Sequence, residues 1–126
     1  MNADAFRHFY EYHFAENRNL WDRHVLSLTQ EQFTQPVDYS VGSVRNQIVH
    51  LISVDTGWFS ALRGGEVPEW LNPDEYEDRG RIRAHWDTVE AMMRDYLAGL
   101  RDDMLFENPF AEGEDKDLYL WQVLLH

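Results

Sequence analysis

The sequence predicts an all-α fold, an up-down four-helix bundle whose fourth helix is short or incomplete. Apolar residues step by three and four through three segments of about 20 residues or more, and a shorter segment with the same spacing closes the chain. Proline and glycine mark the connections between them. The 126 residues fit one domain, 1–126, large enough to bury a core without staples.

Helix one is expected from Ala3 to about Leu28, with Phe6, Phe9, Tyr10, Phe14, Leu20, Trp21, Val25 and Leu28 at helical spacing. Thr29 can cap a short turn, and Pro36 and Gly42 mark the connection to the next helix. Ser43 opens helix two, whose Val44, Ile48, Leu51, Ile52, Phe59 and Leu62 share a face until Gly64 and Gly65. EVPEWLNPDEYE, Glu66 to Glu77, reads as a loop that Trp70 and Leu71 pin to the body. Helix three runs from Tyr76 or Asp78 to Leu100 and carries the cleanest periodicity: Ile82, Trp86, Val89, Met93, Tyr96 and Leu100. Beyond it, MLF and PF suit short extended pieces, and Asp117 suits the N-cap of a final helix, DLYLWQVLLH. Three long helices would present a groove roughly 30 Å long, of which ten residues cover about half. The remainder requires solvent, a partner chain or further residues.

Composition narrows function. With no cysteine, disulfides, thiolate metal sites and cysteine nucleophiles are excluded, leaving histidine and carboxylate as metal ligands. A formal charge of −12, from 23 acidic and 11 basic residues, opposes phosphate backbones, so nucleic acid is not an expected partner. No apolar run approaches the ~18 residues of a membrane span, and the first residues show no basic stretch followed by an apolar one. A cytoplasmic protein is the expectation. Nucleophile elbow, phosphate-binding glycine loop, dinucleotide fingerprint and HExxH are all missing, and Gly64-Gly65 reads as a helix stop.

Polar residues fall on the apolar stripes. On a wheel of 100° per residue, His13, Asn17 and His24 share the arc of Phe6, Phe9, Tyr10, Leu20 and Leu28. Asp55 lies among Val44, Ile48 and Phe59; His50 sits at the stripe's edge beside Val54, and His85 is similarly marginal. A buried polar group without a partner costs about 1 to 3 kcal/mol, so these groups are expected to pair with one another, with water or with a metal. For His13, His24 and His85 the favoured reading is a hydrogen-bonded core imidazole, and for Asp55 an acceptor that orients a histidine. Trp58 and Trp86 are favoured as core packing over pocket walls, and His8 is expected in solvent.

SVGSVRNQIVHLISVDTGWFSALRGG, Ser40 to Gly65, resembles the second-helix signature of DinB-like proteins: Ser-x-Gly-Ser at the start, a mid-helix histidine, an acidic residue five positions on, a tryptophan eight positions on and a glycine finish. The aromatic first helix and the closing LWQVLLH are similar to that family too. The resemblance implies a four-helix bundle, commonly a homodimer, holding a divalent metal (Zn, Ni, Fe or Mn) between helices two and four through three histidines. It places His50 as the helix-two ligand and His126 at a further histidine position, with two more histidines, four residues apart, expected beyond it. The chain therefore reads as truncated in the last helix, with its metal site incomplete or empty unless another chain or His13, His24 or His85 contributes. By resemblance the activity is a metal-dependent, thiol-using transferase or isomerase in which the metal activates a low-molecular-weight thiol toward a small electrophile. His50 would then be a ligand, Asp55 its orienter, and Trp58 and Trp86 pocket walls. The alternative is a non-catalytic bundle acting by dimerisation or partner binding, through the apolar surface of Leu118, Leu120, Trp121, Leu124 and Leu125.

Overall fold

The computed structural model describes residues 1–126, and its regular structure is entirely helical. Helix α1, Ala3–Leu20, is capped by Asn2, whose side chain accepts the Ala5 N–H at 2.8 Å. Phe6, Tyr10 and Phe14, four residues apart, are its buried stripe. The expected single helix to Leu28 changes register at Trp21. Residues Trp21–Val25 form a π-helical turn, in which the Leu26 N–H reaches the Trp21 carbonyl five residues back. Each such turn takes in one extra residue and rotates the residues beyond it. Trp21 and Val25 enter the core, whereas His24 and Leu20, expected on the apolar arc, are exposed. Phe9 is also largely exposed.

Arg79 closes the π turn from across the structure. Its Nη1 donates to the carbonyls of Val25 and Leu28, both at 2.8 Å, and its guanidinium lies 5.2 Å from the Phe33 ring centroid. Phe33 itself is fully buried on α2, Gln30–Thr34. Thr29 caps that short helix as its position suggested: it accepts the Gln32 N–H while Gln32 accepts the Thr29 N–H.

Helix α3, Val44–Leu62, starts where the Ser-x-Gly-Ser segment places it. Ser43 accepts the Asn46 N–H at 3.1 Å, and the Asn46 amide donates to the Val41 carbonyl. Gly42, at φ +111°, takes the left-handed turn between them, and a Cβ there would stand 3.0 Å from the Asn46 amide nitrogen. Helix α4, Arg79–Ala98, is capped by Asp78 and buries Ile82, Trp86, Val89, Met93 and Leu97. Both α1 and α3 pack on it, and one core of 19 buried residues draws on every helix.

The last third departs from expectation in two places. MLF and PF are not extended: residues Asp102–Met104 form a 3-10 turn and no strand is present beyond it. The final helix, α5, is Leu120–Leu125, beginning at Tyr119 rather than Asp117. The cause is backbone pairing upstream. The Leu120 and Trp121 N–H groups donate to the carbonyls of Glu107 and Leu105, and the Asn108 amide donates to the Leu118 carbonyl, so residues 117–119 are held in another conformation. The structure thus has three long helices, α1, α3 and α4, and two short ones, α2 and α5.

The indole of Trp86 meets Trp21 edge to face, with centroids 6.0 Å apart, under the Arg83 guanidinium. Trp86→Ala is expected to lose about 3 to 5 kcal/mol of stability, read as a lowered urea midpoint at unchanged m-value.

Candidate functional site

Residues 66–77 run back along α3 in the opposite direction and wall off a cleft. Near the N-terminus of α3, Arg45 is 8% exposed and pairs with Asp74 at 3.4 Å and Glu77 at 3.8 Å. Midway, Ser53 Oγ accepts the Leu71 N–H at 3.1 Å, and Trp70 lies flat on the His50 ring, with centroids 5.3 Å apart and planes 10° from parallel. Toward the C-terminal end, Val67 covers Gly57. Leu71 is part-buried as expected, but Trp70 is 66% exposed and meets the body through one imidazole face.

Between loop and helix lies a cavity of about 340 Å³, lined by Ser53, Val54, Gly57, Trp58, Val67, Pro68, Trp70 and His126. Gly57 widens it. A glycine inside a helix costs about 1 kcal/mol relative to alanine, and the nearest atom to a Cβ at this position would be Val67 Cγ1 at 4.0 Å, an ordinary contact. Packing does not require the glycine; its effect is an open floor. Trp58 forms the wall, half-buried, with the His126 ring tilted against it at 4.9 Å. Trp86, the other tryptophan considered as a wall, belongs to the core.

His126 reaches this cleft because α5 is fastened to α1. Tyr10, buried on α1, donates its hydroxyl to the Leu124 carbonyl at 2.7 Å. Burial, with the Asp55 carboxylate nearby, pushes the Tyr10 hydroxyl far above its ordinary range.

A second group of polar residues lies across α3. His13 Nε2 stands 3.2 Å from the Asn17 amide nitrogen and 3.7 Å from Asp55 Oδ2, at a cavity of about 220 Å³ between α1, α3 and α5. Asp55 thus accompanies His13 and not His50, as an orienter of His50 would have to. Five residues along a helix turn about 140° away, so His50 and Asp55 address different sides of α3. His85 packs edge to face on Tyr76, centroids 6.0 Å apart, and His24 and His8 are exposed.

The structure therefore brings His50 and His126 to one cleft, His126 as lining and His50 through its stacked partner Trp70, and keeps His13, His24 and His85 elsewhere. Nowhere do three histidine, aspartate or glutamate side chains stand close enough to hold an ion. Two imidazoles fall short of the three protein ligands a catalytic metal centre takes. As placed, these donors do not complete a metal site.

A model of the DinB family matches the chain over residues 1–126. The chain belongs to the DinB family. No curated protein and no solved structure matches it. Among the features of this DinB-family chain, the Ser-x-Gly-Ser turn, His50 and Trp58 carried the resemblance; the strap of residues 66–77 over His50 did not. Its only sequence signal was Trp70 in a loop with two prolines. No helix is long and apolar enough to cross a membrane.

The buried hydroxyl fixes a pH dependence. A tyrosine whose folded pKa is raised binds its proton more tightly when folded, so its contribution is complete below the ordinary value near 10 and is lost as pH rises toward the folded value. Tyr10→Phe is expected to cost about 1 to 2 kcal/mol at pH 7, because the Leu124 carbonyl loses its donor, and to weaken the loss of stability above pH ~10. Urea unfolding at several pH values measures both effects, Tyr96, also raised by burial, supplying what alkaline sensitivity remains.

Proposed function

We propose that this chain handles small molecules in the cleft between α3 and residues 66–77, as a metal-dependent, thiol-using transferase or isomerase. The observation that supports the reading is one cavity with tryptophan walls that His126 lines and whose Trp70 wall stacks on His50. A divalent ion (zinc, nickel, iron or manganese), where bound, would acidify a thiol. It would need ligands beyond these two imidazoles.

The chain's own residues have defined tasks. Trp58, Trp70, Val67 and Pro68 hold the apolar body of a low-molecular-weight thiol and its small electrophilic partner and exclude water on that side. A neutral imidazole, at His50 or His126, accepts the thiol proton at a ring nitrogen. In the transfer reaction sulfur then bonds to the electrophilic carbon as that carbon's bond to the leaving group breaks, and the imidazolium returns the proton to the departing group. Zinc titration by calorimetry tests the donor role: any saturable binding is expected to depend on both imidazoles and to be lost in His50→Ala. A flat titration of the unaltered chain would remove the metal from this reading.

Association is the second reading, that of a non-catalytic bundle acting as a homodimer or with a partner. Phe9, Leu51 and Leu125, exposed by 43%, 42% and 45%, surround the cavity between α1, α3 and α5. A second copy would cover that apolar face. Light scattering is expected to give the mass of two chains, falling to one for the double variant Phe9→Lys, Leu51→Lys; a monomeric unaltered chain would exclude dimerisation.

A further inference from the structure

The strap over α3 is fastened unevenly along its length. Residues 72–77 are tied to three helices. Arg45 of α3 pairs with Asp74 and Glu77, Gln30 of α2 donates to the Glu77 carbonyl at 2.9 Å, and Arg81 of α4 donates to the Glu75 carbonyl at 3.1 Å while its guanidinium covers the Tyr76 ring. This half is also closed on itself by a 3-10 turn, Pro73–Glu75, capped by Asn72. Residues 66–71 have none of these ties. Their one hydrogen bond to the body is the Leu71 N–H on Ser53 Oγ, and neither Glu66 nor Glu69 joins an ion pair. Every residue from Glu66 to Trp70 is exposed. Immediately before them stand Gly64 and Gly65. Gly64 is in the left-handed region at φ +73°, with no atom within 4 Å of where a Cβ would be.

We propose that residues 64–71 are a lid on the cleft, hinged at Gly64-Gly65 and latched by Ser53 on Leu71, which lifts while residues 72–77 stay on the body. A segment held by one neutral hydrogen bond and one aromatic face opens more readily than its neighbour, which is held by charged donors on three helices. The glycine pair supplies the dihedral freedom that a hinge absorbs. Val67, Pro68 and Trp70 are the cavity's wall on this side, and the opposite wall is α3 itself. Lifting the lid therefore widens the cavity of about 340 Å³ and takes Trp70 off His50; lowering it restores both. The least fastened part of the site thus sets its size, and a ligand larger than the resting cavity enters by displacing the lid. The lid rests on the small-molecule reading only for what passes beneath it.

Two measurements test it. In the first, amide exchange is followed by NMR. The Leu71 N–H is expected to exchange through a local opening, at least about a hundred-fold faster than the amide of Ile52 on the buried face of α3, at a rate unchanged by low urea. Salt separates the lid from the whole strap. Lifting residues 66–77 together breaks the Arg45 pairs and is promoted by salt, whereas the lid alone leaves them closed. The Leu71 rate, taken relative to the unbonded Val67 amide, is expected to stay constant from low to high salt. In the second measurement, Gly57→Cys supplies the chain's only thiol on the cavity floor, where a Cβ meets Val67 Cγ1 at an ordinary distance. Adding Ser53→Ala, which unlatches the lid, is expected to speed its reaction with a bulky pyrene-bearing maleimide about five-fold and to leave that with the small methyl methanethiosulfonate nearly unchanged. A change in the thiol's own reactivity would move both reagents alike. Leu71 exchange as slow as that of Ile52, a relative rate that rises with salt, or reagents accelerated equally or not at all would overturn the proposal. Neither measurement contains metal or substrate, so their failure leaves the imidazole reading standing, and a flat zinc titration leaves the lid standing.

Discussion

The cleft depends on one nearly buried charge, the guanidinium of Arg45. It lies in the first turn of α3, where the helix dipole already presents positive charge, so both its burial and its place in the helix are unfavourable without countercharge. Asp74 and Glu77 provide it from the far end of the loop. Displacing the loop takes both countercharges away from Arg45, so the pairs direct a segment with few apolar anchors to this place on the helix. The two carboxylates remain exposed, so each pair alone contributes little; the directional weight comes from Arg45 being buried.

With the loop's end fixed, the middle is set by two weaker contacts of different kinds. Ser53 gives the Leu71 N–H a partner that a loop otherwise lacks, and Trp70 covers one face of His50. Stacking leaves the edges of the imidazole, and thus its nitrogens, free of the tryptophan plane. The same indole is an apolar wall on its other side. His50 can therefore be held in orientation by a neighbour that takes none of its hydrogen-bonding capacity, an arrangement that suits proton transfer.

Much of this was legible in the sequence where a single physical rule decided the outcome. The four-residue stripe of α4 and the Ser43 and Asp78 caps follow from periodicity and from the need to satisfy the first N–H groups of a helix. What sequence could not give was register. A wheel at 100° per residue assumes an unbroken α-helix, and the wide turn at Trp21–Val25 invalidates it from that point, so His24 moved from the stripe to the surface. The start of α5 and the irregular path of residues 101–119 depend on long-range backbone pairing between Leu105 or Glu107 and α5, which no local pattern encodes. The strap over α3 was hidden for the same reason: Arg45, Asp74 and Glu77 are ordinary surface residue types until the fold buries one of them.

The histidines of α1 and α3 show why sharing a stripe does not make a site. His13 finds Asn17 on its own helix and Asp55 on the next, and this satisfies it without a metal, because a half-exposed imidazole needs only one or two polar neighbours. His50 has no such neighbour among hydrogen-bonding groups; its contact is an aromatic face. His85 too has only an aromatic contact, Tyr76, and His24 is exposed; His50 is the one of these that stacks on a wall of the aromatic cleft. An imidazole with both nitrogens uncommitted, stacked on a wall of the cleft, has its hydrogen-bonding capacity available to a ligand, and that separates His50 from His13 more firmly than burial does.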